Sequence, residues 1–338
     1  MINLLSDTVT RPTPDMLKAM ISAEVGDDVF REDPTVNRLE AKIAEMFGKE
    51  AALFCPSGTM CNQIAIRSHT NPMDEMICES TSHVFRFENG GYAFHAGIAI
   101  DTIQGEYGKI TADEILPKIK PHADWLPNTR LVVIENTTNM GGGNYYTEAE
   151  IKAISAVCQK HGLALHIDGA RIFNALVETG SQPAEVARHV NSVSICLSKG
   201  LGAPVGSVLT GSRDYIAKAR KWRKAMGGGM RQAGYLAAAG IYALDHHIER
   251  LRDDHHKAKV MGELLATLPY VGAIRPVKTN ILIFDVLPPM TASDFVQKLS
   301  EKGIKAAPFG PQTVRFVTHL DFTEAMLEKV LAVLKAIT

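Results

Sequence analysis

The sequence predicts an α/β protein whose mostly parallel sheet is covered by helices on both faces. Short β-branched runs alternate with helical patterns through residues 1–244, and these runs are apolar almost throughout. Strands that are buried on both faces show this pattern, and helical crossovers join parallel strands. The chain has 338 residues. Because single cores stop growing at roughly 250–300 residues, we also expect a second, smaller domain.

Seven strands are predicted in the large domain, which we place at residues 1–244 together with the N-terminal segment. They are Ala51–Cys55, Glu75–Cys78, Ile98–Ile103, Leu131–Glu135, Ala164–Asp168, Ser192–Leu197 and Val205–Thr210. Helices are predicted between several of them. The first has apolar residues at helical spacing from Val36 to Phe47, and Asp33-Pro34 provides its cap and first residue.

Residues 245–338 predict a smaller α+β domain. A long charged helix is expected from Asp245 to about Leu265, followed by shorter elements. These are strand Asn280–Val286, helix Ala292–Lys302, strand Thr313–Thr318 and a last helix from Thr323. Since no linker or low-complexity tract separates the two parts, we expect them to pack tightly.

Composition argues against several classes of function. The chain carries 36 Lys and Arg residues against 37 Asp and Glu residues, which offers no basic surface for nucleic acid or a membrane. The N-terminus lacks the features of a secretory signal, and the longest apolar stretch, Tyr235 to Leu244, is about half of a membrane span. The five cysteines form no CxxC pair, which favours reduced thiols over a metal site. We expect a cytoplasmic protein whose partners are small molecules and copies of itself.

Three polar clusters follow predicted strands, where open α/β sheets bind their ligands. Pro56-Ser57-Gly58-Thr59 opens a helix and suits a phosphate, although an ordinary capping turn has the same pattern. Asp168 ends a buried strand and could be a helix cap, a metal ligand or the partner of a cationic ring nitrogen. Lys199 ends another buried strand beside glycines. A lysine there is seldom structural, and a desolvated lysine can form a Schiff base with an aldehyde.

Together the three clusters provide what pyridoxal 5'-phosphate requires: a phosphate cradle, an acid for the ring nitrogen and an amine for the aldehyde. The sequence also resembles the low-specificity threonine aldolases, which belong to the fold-type-I pyridoxal-phosphate superfamily. The matching segments are Ser6-Asp7-Thr8-Val9-Thr10, Val25-Gly26-Asp27-Asp28-Val29, Glu32-Asp33-Pro34-Thr35, Pro56-Ser57-Gly58-Thr59, His166-Ile167-Asp168-Gly169-Ala170-Arg171-Ile172-Phe173-Asn174-Ala175, Ser198-Lys199-Gly200-Leu201, Gly227-Gly228-Gly229-Met230-Arg231-Gln232 and Arg315-Phe316-Val317-Thr318-His319.

The resemblance implies a set of cofactor-binding residues. Lys199 would bond the cofactor, and Asp168 would pair with its ring nitrogen. Gly58 and Thr59 would bind the phosphate, with Arg231 of a neighbouring subunit reaching it as well. The chain would therefore form a homodimer with shared sites, or a tetramer as in the family.

The resemblance also implies substrate-binding and proton-transfer residues. His83 would stack on the cofactor ring and take part in proton transfer. Arg171 would lie near the ring hydroxyl and, with Ser6 and Arg315, receive the substrate carboxylate, whose geometry matches the planar fork of arginine. On local pattern alone, His83 would be a surface histidine and Arg315 an exposed charge on a strand.

Three departures from the family pattern bear on substrate choice. The usual Tyr-Gly pair before Glu-Asp-Pro is Phe30-Arg31 here, and the usual Glu-Asn-Thr-His ends in Thr138. A family histidine that touches the substrate hydroxyl aligns with Trp125, three residues after His122. Trp125 is therefore a candidate substrate-binding residue. The base for the hydroxyl could be His83, a water it holds, or His122.

The function that the resemblance implies is cleavage of the Cα–Cβ bond of L-threonine, L-allo-threonine and related β-hydroxy-α-amino acids, reversibly, to glycine and an aldehyde. β-Elimination on the same cofactor, which would release ammonia and a keto acid, is the alternative. A cofactor-free binding protein that kept the fold is a third possibility, which Lys199 and Asp168 argue against. No metal ion is expected.

Overall fold

The computed structural model describes residues 1–337, and within them the strands form three sheets. The strands are β1 (Ile2–Asn3), β2 (Ala51–Cys55), β3 (Asp74–Glu79), β4 (Ala99–Ile103), β5 (Asn128–Glu135), β6 (Ala164–Gly169), β7 (Ser192–Cys196), β8 (Ser207–Gly211), β9 (Val271–Ile274), β10 (Ile281–Val286), β11 (Ile304–Lys305), β12 (Ala307–Pro308) and β13 (Thr313–Val317).

The largest sheet has seven strands in the order β2-β8-β7-β6-β5-β3-β4. The five strands from β7 to β4 run parallel, and β8 is antiparallel to both β7 and β2. This confirms the predicted α/β class with a mostly parallel sheet. All seven predicted strands are present, although β5 begins at Asn128 rather than Leu131 and β8 at Ser207 rather than Val205.

Helices cover the large sheet and continue into the C-terminal part of the chain. They are α1 (Pro14–Ile21), α2 (Pro34–Met46), α3 (Gly58–His69), α4 (His83–Arg86), α5 (Gly91–Ala96), α6 (Ala112–Ile115), α7 (Glu148–Lys160), α8 (Ile172–Thr179), α9 (Pro183–Ala187), α10 (Arg213–Ala225), α11 (Gly234–His246), α12 (Leu251–Leu265), α13 (Ala292–Glu301) and α14 (Glu324–Ala336). In α2, the Asp33 carboxylate accepts hydrogen bonds from the N–H groups of Thr35 and Val36, which confirms the predicted cap. None of the helices in residues 1–337 is long and apolar enough to cross a membrane.

A separate antiparallel sheet, β12-β13-β10-β9, forms the C-terminal part. In its core Phe284 packs edge to face against both Phe295 and Phe316, which are stacked on each other. The N-terminal strand β1 pairs with β11, and Leu4 packs into the same core. The start of the chain is thereby attached to the C-terminal sheet.

The predicted charged helix from Asp245 is wrong at its start. Helix α11 ends at His246 and α12 begins at Leu251. No glycine or proline breaks the pattern between them; instead, contacts with a distant loop hold the turn. The His247 Nδ1 lies 2.7 Å from the Leu201 carbonyl oxygen, and Arg250 donates to the carbonyl of Gly200 at 3.2 Å.

Candidate active site

The carboxyl ends of β5, β6 and β7 bring polar side chains together. Asp168, near the end of β6, lies opposite Glu135 of β5 and Ser194 of β7 in the parallel register. Opposed residues of parallel strands project from the same face of a sheet. The three side chains therefore stand side by side, and helix α3 packs against the same part of the sheet.

Asp168 is a buried carboxylate without a cationic partner in residues 1–337. It is 2% exposed. Its Oδ2 accepts from the Asn62 side-chain amide at 2.9 Å, and its Oδ1 accepts from the Ala170 N–H at 3.1 Å. The helix-cap interpretation fails because α8 begins at Ile172 and is preceded by Arg171. A buried acid with neutral donors only is suited to a cationic ligand.

Lys199 follows β7 and is half-buried. Within the described residues its ammonium makes no hydrogen bond or ion pair. The chain turns sharply after it, because the Gly202 N–H donates to the Lys199 carbonyl at 2.8 Å and Gly202 has a φ of +80°. Gly200 allows close packing, since a Cβ there would lie 3.1 Å from Leu251. The amine is thus presented without a partner.

Helix α3 begins at the predicted phosphate cradle. The Ser57 hydroxyl accepts from the Met60 N–H at 3.2 Å. The N–H groups of Gly58 and Thr59, in the first turn, have no partner within the helix. Arg231 is 56% exposed and pairs with Asp27 at 2.8 Å. Its contact with the phosphate of a neighbouring subunit stays a prediction.

His83 opens α4 and is fixed by two carboxyl groups. Its Nδ1 lies 2.8 Å from Glu88 Oε1, and its backbone N–H donates to Glu135 Oε2 at 3.1 Å. Burial lowers the pKa of His83, but the hydrogen bond to Glu88 and the charge of Asp168 outweigh it, so that the net shift is upward. Because Nδ1 faces Glu88, Nε2 is the ring nitrogen available to a ligand.

The two predicted arginines differ in their partners. The Nε and Nη2 atoms of Arg171 both bond the Asp7 carboxylate at 2.7 Å, and both side chains are buried. Burial raises the pKa of Asp7, but Arg171 outweighs it and lowers this pKa to about 2. Asp7 is also 3.4 Å from the Ser6 hydroxyl, which is its hydrogen-bond donor. The guanidinium fork of Arg171 is therefore already occupied.

Arg315, on β13, has no carboxylate partner in the described part of the chain. It donates to the Asn139 side-chain oxygen at 2.9 Å and to the Leu5 carbonyl at 3.2 Å, and its guanidinium lies over the Phe309 ring. Burial and the nearby Arg171 lower the pKa of Arg315 to about 10. A largely buried cation that no carboxylate contacts directly is suited to an anionic ligand.

Glu135 is a further site residue, beyond those that the sequence predicts. It is buried, and its Oε1 accepts from the Asn139 N–H at 2.8 Å. Burial and the charge of Asp168 raise the pKa of Glu135 to about 7. Through its two oxygens, Glu135 holds the backbone of His83 at the start of α4 and that of Asn139, whose side chain bonds Arg315. Its sequence signal was available, because Glu135 ends a buried strand as Asp168 does.

Trp125 and His122 lie at the amino edge of the sheet, where the parallel strands begin, whereas the site lies at the carboxyl edge, where they end. Trp125 is 83% exposed and precedes the first residue of β5, whereas the site is at the last. The eight residues of β5 span roughly 23 Å, and three residues reach at most roughly 10 Å. A substrate contact by Trp125 would thus require a second copy of the chain. Thr138, which replaces the usual histidine after Glu-Asn-Thr, is buried and donates to the Tyr107 carbonyl at 2.9 Å.

The chain is similar to known proteins over nearly its whole length. A family model described as β-eliminating lyase matches residues 3–287. The low specificity L-threonine aldolase of Escherichia coli (strain K12) is 44% identical over 335 residues, which cover 98% of each chain. The structure of Leishmania major threonine aldolase matches with a TM-score of 0.87 at 22% identity, over 99% of each chain. A structure of SPT with PLP matches with a TM-score of 0.78 at 17% identity, over 99% of this chain and 86% of that one. At these two identities the structural likeness shows the fold alone.

Proposed function

Since the chain belongs to the β-eliminating lyase family, we propose that it is a pyridoxal-phosphate-dependent aldolase. It cleaves the Cα–Cβ bond of L-threonine, L-allo-threonine and related β-hydroxy-α-amino acids to glycine and an aldehyde. The observation that carries the proposal is a set of three charged groups that form no salt bridge within residues 1–337. They are the Lys199 amine, the buried Asp168 carboxylate and the Arg315 guanidinium. Near-full-length similarity to a low specificity L-threonine aldolase supports the choice of substrate.

The residues present fit the cofactor. Lys199 would bond its aldehyde carbon, and Asp168 offers a buried anion to its ring nitrogen. The unpartnered N–H groups of Gly58 and Thr59 suit its phosphate. When bound, pyridoxal phosphate accepts the electron pair that is released at the substrate Cα.

The chain's own residues bind the substrate and move its proton. Arg315 binds the substrate carboxylate, and Ser6, adjacent to Asp7, adds a hydroxyl on the same side. This anchor sets the rotation about the bond from the substrate nitrogen to Cα, which decides which bond is cleaved. His83 receives the β-hydroxyl proton at Nε2, directly or through a water, because Glu88 occupies Nδ1. His122 is at the opposite edge of the sheet.

The proposed assembly is a cytoplasmic homodimer with shared sites, or a tetramer built from two such dimers. Arg231 supports sharing, because its side chain is exposed and held at the surface only by its ion pair with Asp27. Large apolar side chains that a second copy could cover are also exposed, among them Phe94 at 84% and Met73 at 79%.

The test is product analysis with the purified holoenzyme. L-Threonine and L-allo-threonine are supplied separately, and glycine, acetaldehyde, ammonia and keto acid are measured. We expect glycine and acetaldehyde in equal amounts. Ammonia with a keto acid would instead establish β-elimination, the reaction after which the matching family is described.

A further inference from the structure

One buried side-chain amide, that of Asn62, joins the two carboxylates of the site. Its Nδ2 donates to Asp168 Oδ2 and to Glu88 Oε1, each at 2.9 Å. Asn62 is 2% exposed and lies on α3, one turn after the phosphate cradle at Gly58 and Thr59. Both hydrogens of the amide are therefore used, one for each carboxylate.

The orientation of this amide is fixed from its other side. The Ser194 hydroxyl donates to Asn62 Oδ1 at 2.8 Å, and His166 Nε2 lies 3.4 Å from the same oxygen. Burial lowers the pKa of His166 to about 4, so this imidazole is neutral near pH 7. Its Nδ1 bonds Ser192 at 2.8 Å. A flipped amide would place its oxygen against two carboxylates and its N–H groups against a hydroxyl donor, which disfavours the flip.

The same amide connects the residue that would meet the ring nitrogen, Asp168, with the residue that would lie on the ring face, His83. Glu88 Oε1, which accepts from Asn62, also lies 2.8 Å from His83 Nδ1. His83, Glu88 and Asp168 bring ligand atoms within 4.8 Å of one another, as in a metal site. The two Asn62 N–H groups bridge the carboxylates of Glu88 and Asp168. These hydrogen bonds stabilise two negative charges that lie close together.

We propose that Asn62 is a positioning residue that sets the place of Asp168 against the cofactor ring nitrogen and, through Glu88, the place of His83 against the ring face. The inference rests on the proposed function, because both contacts are with the cofactor. Asn62 touches neither cofactor nor substrate; it acts through two residues that do. Its loss would move both together.

The test compares Asn62→Ala and Asn62→Asp with the wild-type holoenzyme. A hydrogen bond to a charged group is worth about 1.5–3 kcal/mol, so we expect kcat for threonine cleavage to fall roughly ten- to hundredfold in Asn62→Ala. KM should stay within about twofold, since Arg315 is untouched. The visible circular dichroism of the bound cofactor should change, because it reports ring orientation. Asn62→Asp should lose more activity, because it opposes a third carboxylate to two others.

Two further variants separate positioning from packing. Gln63→Ala is the matched control: Gln63 is as buried as Asn62 and bonds Glu88 at 2.5 Å but not Asp168. It should change the cofactor dichroism less than Asn62→Ala, because it disturbs Glu88 alone and Asp168 keeps its amide partner. Ser194→Ala removes the donor that orients the amide, so it should lower kcat less than Asn62→Ala and have no further effect in the Asn62→Ala background.

Several results would overturn the proposal. Unchanged dichroism and kcat in Asn62→Ala would do so, as would additive effects of the Ser194 and Asn62 substitutions. If Asn62→Ala does not fold, Ser194→Ala alone decides, and a wild-type kcat there refutes the idea. Failure of the proposed function is recognised separately, as a wild-type holoenzyme that shows cofactor dichroism but releases no glycine.

Discussion

Charged side chains of the seven-stranded sheet are paired at the amino edge, where the parallel strands begin, but only partly paired at the carboxyl edge, where these strands end and Arg171 alone bonds a carboxylate, that of Asp7. At the amino edge, where β3, β4 and β5 begin, Lys120 pairs with Glu75 and Asp101, and Lys118 pairs with Asp101 at 2.8 Å. At the carboxyl edge, Lys199 and Asp168 have no ionic partner in residues 1–337. Both edges belong to one sheet and have similar strands. The difference is the one expected if a ligand binds at the carboxyl edge, where open α/β sheets bind their ligands.

Replacement of Lys199, at the carboxyl edge, should cause the largest loss of activity. Lys199→Ala is expected to abolish threonine cleavage and the yellow absorbance of the lysine-bound cofactor, because no other lysine within residues 1–337 ends a buried strand beside glycines. Lys120→Ala, at the amino edge, is the control and should retain both. Borohydride reduction followed by peptide mapping identifies the bonded lysine, and a label on any other lysine would contradict the assignment.

Asp168→Asn should come next in size. The fold and cofactor binding are expected to survive, but turnover should fall by orders of magnitude, because a ring nitrogen without an anion beside it accepts electrons poorly. Asp101→Asn provides a matched change at the amino edge. The measurement is kcat with saturating cofactor, and near-normal turnover in Asp168→Asn would make this carboxylate structural only.

Within the site itself, Arg171 is paired with a carboxylate, whereas Arg315 bonds neutral oxygens only. Arg315→Ala should raise KM for threonine roughly ten- to hundredfold, the worth of a charged hydrogen bond, with little loss of thermal stability. Arg171→Ala leaves Asp7 buried without its partner, which costs about 3–5 kcal/mol, so its main effect should be a lower Tm. Steady-state kinetics and thermal unfolding of both variants measure the split. A larger KM effect in Arg171→Ala would reverse the assignment.

Glu135→Gln should have a smaller effect that depends on pH. The folded protein raises the pKa of Glu135 from 4.5 to about 7. Between these values the folded state keeps a proton that the unfolded state has lost, so this group destabilises the fold increasingly as the pH rises. The Tm of Glu135→Gln relative to wild type should therefore increase from pH 4.5 to 7 and level off above. Asp7 behaves in the opposite way: its stabilisation of the fold is lost as the pH falls from 3.8 toward 2, so the Tm of the wild type itself should fall there. A Tm difference that is constant between pH 4.5 and 7 would contradict the shift of Glu135.

Trp125→His should have the smallest effect and tests whether the amino edge takes any part in catalysis. If a second copy brings Trp125 to the substrate, the ratio of kcat/KM for threonine and allo-threonine should change by a few-fold, because an indole donates but cannot accept through its nitrogen. Cofactor affinity should not change. Kinetics with both diastereomers and with phenylserine measure this. Unchanged ratios would leave Trp125 as a surface residue.

Local sequence pattern predicts the strands and the residues at their ends better than the bonds between distant residues. Asp168 and Lys199 were found because they end buried apolar runs, and the same rule applied to Glu135 would have found it too. Asn62 gives no such signal. It is one of several buried polar residues on α3, and its importance depends on β6 and on Glu88, which are distant in sequence. The break between α11 and α12 was missed for the same reason, because a distant loop determines it.

The pairing of β1 with β11 has a consequence for synthesis of the chain. Asp7, the counter-ion of Arg171, follows a strand that cannot pair until residues 304–305 have left the ribosome. At about 5–20 residues per second, this delay is roughly 15 to 60 s. Until then β1 lacks its partner strand, and Asp7 is not held in its native position beside Arg171. A chain that ends before β11 would therefore carry the lysine, the aspartate, the cradle and Asp7, but not the strand that pairs with β1 and places Asp7 beside Arg171.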